Sequence, residues 1–320
     1  MVSNQTSLAV QPYAYTPVPA DLSSDYAALT YPHFRQGLQA GIAAGEVVAI
    51  AAEDGGGPVG LALALIDREA RTAELLSLFV VPDHRRQGIG ATLIRQLSAE
   101  LRQRGSQRLT MRYPDSPSSV ALARILEKQH WTAPKAAALV CYASTDRVQQ
   151  AQQPHLTQYL ERLTTKLPPE YSLFLWAELT TADRQAITSQ MATDATMQRF
   201  DPFIDAARLE PLNSLGLRYQ DQVVGWIITH RIAPDTIRYT QMYVNPDNQP
   251  LSRSTLLLAK AIQLQVDRLP HTQGTFRVDM DNIPMVKFVR RRLQPYLDEI
   301  RTVWSAEKRL LGEDHDILLG

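Results

Sequence analysis

Cysteine is almost missing: Cys141 is the only one in 320 residues. That excludes an internal disulfide and a cysteine-rich zinc site, and suits a reducing compartment. Net charge is missing as well, because 33 basic and 33 acidic residues cancel. A balanced chain carries no electrostatic footprint for nucleic acid or an acidic membrane surface. No apolar run reaches the length of about 18 residues that a membrane-spanning helix needs. The opening MVSNQTSLAVQPYAY has no basic segment leading into an apolar one, so no secretory signal is expected. G-x-S-x-G, H-E-x-x-H, C-x-x-C and G-x-x-x-x-G-K-[ST] do not occur, which removes the common hydrolase, metal and P-loop signatures. We expect a cytoplasmic protein without a metal, a nucleic-acid partner or a membrane anchor. No sequence signal bears on its oligomeric state.

What is present is order, and it comes twice. In the first half, VVAIAAED, VGLALALI and TAELLSLFVV read as strands, the last two as a hairpin across DREAR. Ile89, Leu93, Ile94, Leu97 and Leu101 form a helical stripe over 88–104. A strand at QRLTMRY, a helix at SPSSVALARILEKQ and a strand at AAALVCYA follow. The second half repeats this: YSLFLWAEL, a helix from Thr180-Thr181, strands at SLGLRYQ, VVGWIITHR and TIRYTQMYV, and a helix over about 251–269. A strand at TFRVDM, a helix over 284–293 and a last strand near 300–305 complete it. Val59-Gly60 aligns with Val224-Gly225 at an offset of 165, and Val80, Pro82 and Asp83 align with Val244, Pro246 and Asp247 at 164. Such spacing predicts a duplicated α+β domain. The expected division is 1–146, a glutamine-rich linker and short helix over 147–168, and 169–320.

The chemistry concentrates in VVPDHRRQGIGATLI. Gly88 and Gly90 stand where a helix starts, and first-turn N–H groups without intrahelical partners hold anions well. A dinucleotide fingerprint would need a third glycine where Leu93 stands. By itself the pair also fits a plain strand-to-helix turn. The longer string LFVVPDHRRQGIGATLI resembles the acyl-CoA-binding motif of the GNAT superfamily of N-acyltransferases, and Arg85-x-x-Gly88-x-Gly90 fits its [RQ]-x-x-G-x-[GA] pattern. ILEKQHW resembles a later segment of the family. The resemblance spans about 8–143, with 170–306 as a degenerate copy.

The resemblance implies two GNAT-like domains, each a mixed, mostly antiparallel sheet flanked by helices, and a first domain that moves an acetyl group from acetyl-CoA to an amine. It implies that backbone groups of Phe79, Val80 and Val81 pair with the pantetheine arm. The N–H groups of Arg85, Arg86, Gln87, Gly88, Ile89, Gly90 and Ala91 would hold the pyrophosphate. Glu74 is the candidate base, or else a glutamate paired on the surface. The family's usual tyrosine acid falls at Leu126 and its asparagine at Ser119, which we keep as a cofactor contact; Tyr113 is a substitute acid or an edge tyrosine. The acceptor is a small amine or a protein amine. The missing acid leaves open a CoA-binding regulatory protein with little catalysis.

In the second copy Gln249 and Pro250 replace Arg85 and Arg86, Ser252 and Ser254 replace the glycines, and Arg238 replaces Glu74. Pro250 has no N–H and the serines add Cβ atoms, so most CoA affinity should be lost there. Asp279 and Asp281 could meet a substrate amine or cap the following helix. Phe200, Phe203 and Ile204 are packing residues or a lid. EDHD at 313–316, with His315, reads as a solvated tail.

Overall fold

The computed structural model describes residues 13–310 except 36, 153–157, 159–161, 163–164, 166 and 249–251. Half of the expected 147–168 linker, the residues Gln249 and Pro250, and the EDHD segment with His315 therefore lie outside the described residues. The chain forms two compact units, one reaching Ala137 and resuming at Val303, the other Ala138–Thr302.

In the first unit three short helices, α1 (Ser23–Tyr26), α2 (Pro32–Arg35) and α3 (Leu38–Ala43), follow β1 (Ala14–Pro17). Then come β2 (Val47–Glu53), β3 (Pro58–Asp67), β4 (Thr72–Val80), α4 (Ile89–Gln103), β5 (Arg108–Pro114) and α5 (Ser119–Lys128). β1 to β4 are antiparallel neighbours, and β4 lies parallel to β5. The stripe expected on 88–104 is the buried face of α4: Ile89, Leu93, Ile94, Leu97 and Leu101 are at most 1% exposed. Ala73, Leu75, Leu78 and Val80 of β4 pack in the cluster of α4, whereas Leu76 and Phe79 join the cluster of α1 to α3. The change of face comes from a bulge: Leu63 pairs with Ser77 and Ala64 with Leu75, which leaves Leu76 over.

In the second unit β6 (Lys135–Ser144) pairs antiparallel with β11 (Gln273–Asp279), from Ala138↔Asp279 to Ser144↔Gln273. α6 (Thr145–Gln152), β7 (Tyr171–Leu175), α7 (Thr181–Met191) and α8 (Ala195–Gln198) lead to β8 (Leu215–Tyr219), β9 (Gln222–Ala233) and β10 (Thr236–Val244). After them come α9 (Ser252–Arg268), β11, α10 (Ile283–Phe288) and β12 (Glu299–Arg309). β7 to β10 are antiparallel neighbours and β10 lies parallel to β11. Thr180 starts α7 as expected, in a reciprocal capping box with Asp183. The expected strand at 171–179 ends at Leu175 and turns into a 3-10 turn. The expected 284–293 helix is α10 followed by a π turn over Val289–Leu293.

The division of the chain differs from 1–146 and 169–320. β5 is bordered by β12, in the register Val303↔Pro114 to Arg309↔Arg108. The first unit is therefore completed by the end of the chain, and β6 completes the second. Alternation shows which way a strand faces but not which sheet edge it borders, so it gives no way to assign them.

The duplication is visible at atomic detail. Gly60 pairs with Val80 and Gly225 with Val244. Val81 N–H donates to Val59 O at 2.9 Å, and Asn245 N–H to Val224 O at 2.8 Å. A Cβ on Gly60 would come within 3.0 Å of Leu93, and one on Gly225 within 2.8 Å of Tyr243 O. The shared glycine is thus a close-packing requirement. The bulge is repeated too, with Thr240 the extra residue of β10.

Candidate active site

β4 and β5 pair only from Thr72↔Arg108 to Leu75↔Met111 and then part. Val59 and Val81 are a hydrogen-bonded pair, so alternation directs the backbone groups of Phe79 and Val81 toward β3 and those of Leu78 and Val80 toward the open side. Of the expected set, Phe79 and Val81 turn their backbone groups to β3, whereas Val80, like Leu78, faces the open side. The Val80 carbonyl already accepts Arg85 Nε–H at 2.9 Å. The Arg85 guanidinium also lies 5.8 Å from the Phe79 ring centroid.

Between β4 and α4 the backbone turns through positive φ at Arg86 (63°) and Gly88 (82°). Residues alternating in this way gather successive N–H groups on one concave side. Arg85 N–H is not among them, because it donates to Pro82 O at 3.2 Å. The first intrahelical bond runs from Thr92 N–H to Gly88 O, so Ile89, Gly90 and Ala91 present the first-turn donors. The loop is held from outside: His84 Nε2 meets Asp54 at 2.9 Å, Tyr13 O–H donates to Gln87 Oε1 at 2.5 Å, and Gln87 Nε2–H to Asp83 O at 3.4 Å. Gly56 N–H and His84 hold the Asp54 carboxyl below its ordinary range.

Glu74 lies in the paired part of β4, opposite Leu65 and Thr110, one residue before Leu75. It faces the side of α1 to α3, half-exposed, with Arg112 Nη1 at 3.9 Å. Tyr113 is neither surface nor edge: it is 7% exposed in the α4 cluster. Burial, then Asp115, raises its pKa. Glu74 and Tyr113 thus lie on opposite faces of the sheet. Ser119 is 9% exposed and its hydroxyl donates to Ser116 O at 2.7 Å, a local turn contact. Leu126 is a core residue, 1% exposed.

The second unit holds a cavity of about 830 Å³ where β10 and β11 part after Arg238↔Thr275. Ser254 lines it, as do Asp279 and Asp281. Neither aspartate caps α10: Asn282 does, accepting from Met285 N–H at 3.2 Å, while Asp279 pairs with Arg277 at 2.9 Å. Phe200 and Phe203 pack against the core of α7 and α8, and Ile204 is half-exposed. The cavity has no sequence signal, since apolar residues lining a split look like apolar residues filling one. Among the described residues there is no metal-binding cluster, and no helix is long and apolar enough to cross a membrane.

A parted parallel strand pair thus lies beside an amide-rich helix start. Residues 17–126 match the Acetyltransferase (GNAT) family model, and the chain as a whole has the tandem GNAT fold. It superposes on a tandem GNAT protein from the clavulanic acid biosynthesis pathway with a TM-score of 0.63 and 17% identity, over 94% of this chain and 100% of that one. A GCN5-related N-acetyltransferase from Sphaerobacter thermophilus gives 0.55 and 12%, over 95% and 97%. A glucosamine N-acetyltransferase region of a fungal multi-domain β-N-acetylglucosaminidase gives 0.60 and 12%, over 94% of this chain and 38% of that one. At these identities the likeness is one of fold. A sequence comparison with curated proteins finds no match.

Proposed function

We propose that the first unit is an N-acetyltransferase that takes an acetyl group from acetyl-CoA and gives it to an amine. The reading is carried by the Arg86–Gly88 turn, whose backbone donors open beside the parted strands β4 and β5. The residues fit a pyrophosphate: Gly88 has open space where a Cβ would stand, and its φ of +82° shapes the turn. N–H groups of Arg86 to Ala91 would hold the diphosphate, with the exposed Arg86 side chain adding charge. Leu78 and Val80 would hold the pantetheine arm, with Arg85 leaving Val80 O to admit it. When bound, acetyl-CoA supplies the acyl thioester.

The amine must lose a proton and the thiolate must gain one. Glu74, on the face away from α4, is placed to take the first. Arg112 Nη1 stands 3.9 Å from it, too far for a direct hydrogen bond. Tyr113, on the opposite face, is the substitute donor for the second. We expect a small amine as acceptor, with a protein lysine or N-terminus as the next class to test.

Calorimetric titration with acetyl-CoA tests the first step. Gly88→Glu places a carboxylate in the cradle and should abolish binding; unchanged affinity would overturn the motif assignment. The burial of Leu126, where the family keeps its acid, favours a second reading: a protein that binds CoA for regulation. Binding without turnover across a broad amine panel would select it.

A further inference from the structure

The second unit carries a polar pair that the first unit lacks. His230 is 2% exposed. Its Nε2 lies 3.0 Å from Ile204 O and its Nδ1 lies 2.7 Å from Thr240 Oγ1. A carbonyl oxygen only accepts, so the neutral ring carries its proton on Nε2. Nδ1 is then a lone pair aimed at the Thr240 hydroxyl, whose other acceptor, Arg238 O, is distant at 3.4 Å. Thr240 is the bulge residue of β10, without a partner residue on β9, and it lines the cavity of about 830 Å³. The aligned residues of the first unit are Leu65 and Leu76, so both polar groups are particular to the second copy. Met242, Leu258, Ile262, Phe276 and Val278 give the same cavity apolar walls.

We propose that Thr240 is a nucleophile with His230 as its base, and that the second unit accepts short apolar acyl groups from activated esters or thioesters. A hydroxyl bonded to a base, itself oriented by a third group, is the arrangement that activates an alcohol. Thr240 Oγ1 attacks the acyl carbonyl carbon while its proton passes to His230 Nδ1. The bond from that carbon to sulfur or oxygen breaks with its electron pair on the leaving group, which takes the proton from Nδ1. The products are an ester on Thr240 and a free thiol or alcohol. Water then attacks the ester, with Nδ1 again the base, releasing a carboxylic acid and restoring Thr240. Net, one ester and one water give one acid and one alcohol or thiol. Burial keeps the His230 ring neutral to lower pH than an ordinary histidine. Asp205 draws it toward protonation, while Arg238 and Arg208 oppose it. The pair does not depend on CoA binding by the first unit.

The test treats the full chain with p-nitrophenyl butyrate and follows p-nitrophenol release and intact mass. The expected result is a burst of one equivalent and a single butyryl group on the tryptic peptide 239–253, at Thr240. Thr240→Val should lose the burst, Thr240→Ser should keep it, and His230→Gln should slow it at least tenfold. The wild-type burst rate should fall with acid only below the ordinary histidine range, an inflection absent from His230→Gln. Butyryl mapped elsewhere, a burst surviving Thr240→Val, or no acylation of the wild type would overturn the proposal.

Discussion

Two glycines of one motif should respond to alanine with opposite signs. Gly88 sits at φ +82° with nothing within 4 Å of a built Cβ, so an alanine there meets no clash but must hold a left-handed backbone. That costs roughly 1–2 kcal/mol. Gly90 is helical, and its Cβ would stand 3.6 Å from Ile125 and 3.9 Å from Leu78 and Val80, ordinary contact distances. Alanine there fills space and stiffens the unfolded chain, for a gain of about 0.5–1 kcal/mol. The difference between the variants is then about 2 kcal/mol, and at about 2–4 °C per kcal/mol for a unit of this size the two should separate by several degrees. Scanning calorimetry of both variants reads this directly. Acetyl-CoA titration should show Gly88→Ala weakened, because relaxing the turn misaims the donors, and Gly90→Ala close to wild type. Equal shifts of both variants, or a loss of stability confined to Gly90→Ala, would refute the account of the loop.

Glu74→Gln should lower the acetylation rate on any accepted amine by about 10²–10⁴ at neutral pH, with acetyl-CoA affinity unchanged by titration. In the second unit Arg218 grips Asp183 through two bonds of 2.7 Å, with their side chains 20% and 11% exposed. Arg218, then Thr180, holds the Asp183 carboxyl well below the ordinary range. A depressed folded pKa means the stabilisation is present above the ordinary aspartate range of about 4 and is lost as pH falls below it. Urea melts should therefore weaken on acidification, and Arg218→Met, which leaves the Asp183 charge largely buried with only Thr180 as a hydrogen-bond partner, should cost about 3 kcal/mol at pH 7. Cys141 is fully buried and its thiol is pushed up to about 11, so it should resist thiol reagents until the second unit is unfolded.

The elements were legible where one periodicity ruled. The α4 stripe and the β3–β4 hairpin need no tertiary information, and both stand where alternation and helical spacing put them. Backbone polarity was less so. Phe79 and Val81 were set against the cofactor by position in a motif, but which residues of β4 face β3 depends on the hydrogen-bond register and on the bulge at Leu76, and a bulge leaves no residue signature here. Tyr113 could not be assigned a side for the same reason: one residue of register decides between core and surface. The exchange of β6 and β12 lies further out of reach, because alternation says which way a strand faces and not which edge it borders.

What duplication preserved and what it changed can be separated on physical grounds. Gly60 and Gly225, the Val81 and Asn245 bonds to the preceding strand, and the bulges at Leu76 and Thr240 recur because they set how two parallel strands part. A side chain on Gly225 would meet the Tyr243 backbone, and one on Gly60 would crowd Leu93, Ile89 and Phe79 O, so those positions answer to packing. Gly88 answers to the shape of the turn, whereas Gly90 sits in the helix at ordinary contact distances; serines occupy the aligned positions 252 and 254. Arg238 and Thr240 stand where the first unit has Glu74 and Leu76, with His230 opposite Arg238 in the ladder. A copy that had merely decayed would gain buried polar groups with unmet hydrogen bonds, at a cost of about 1–3 kcal/mol each. Here His230 has both ring nitrogens satisfied and Thr240 meets one of them, so the polar pair beside the second split leaves no such cost at His230.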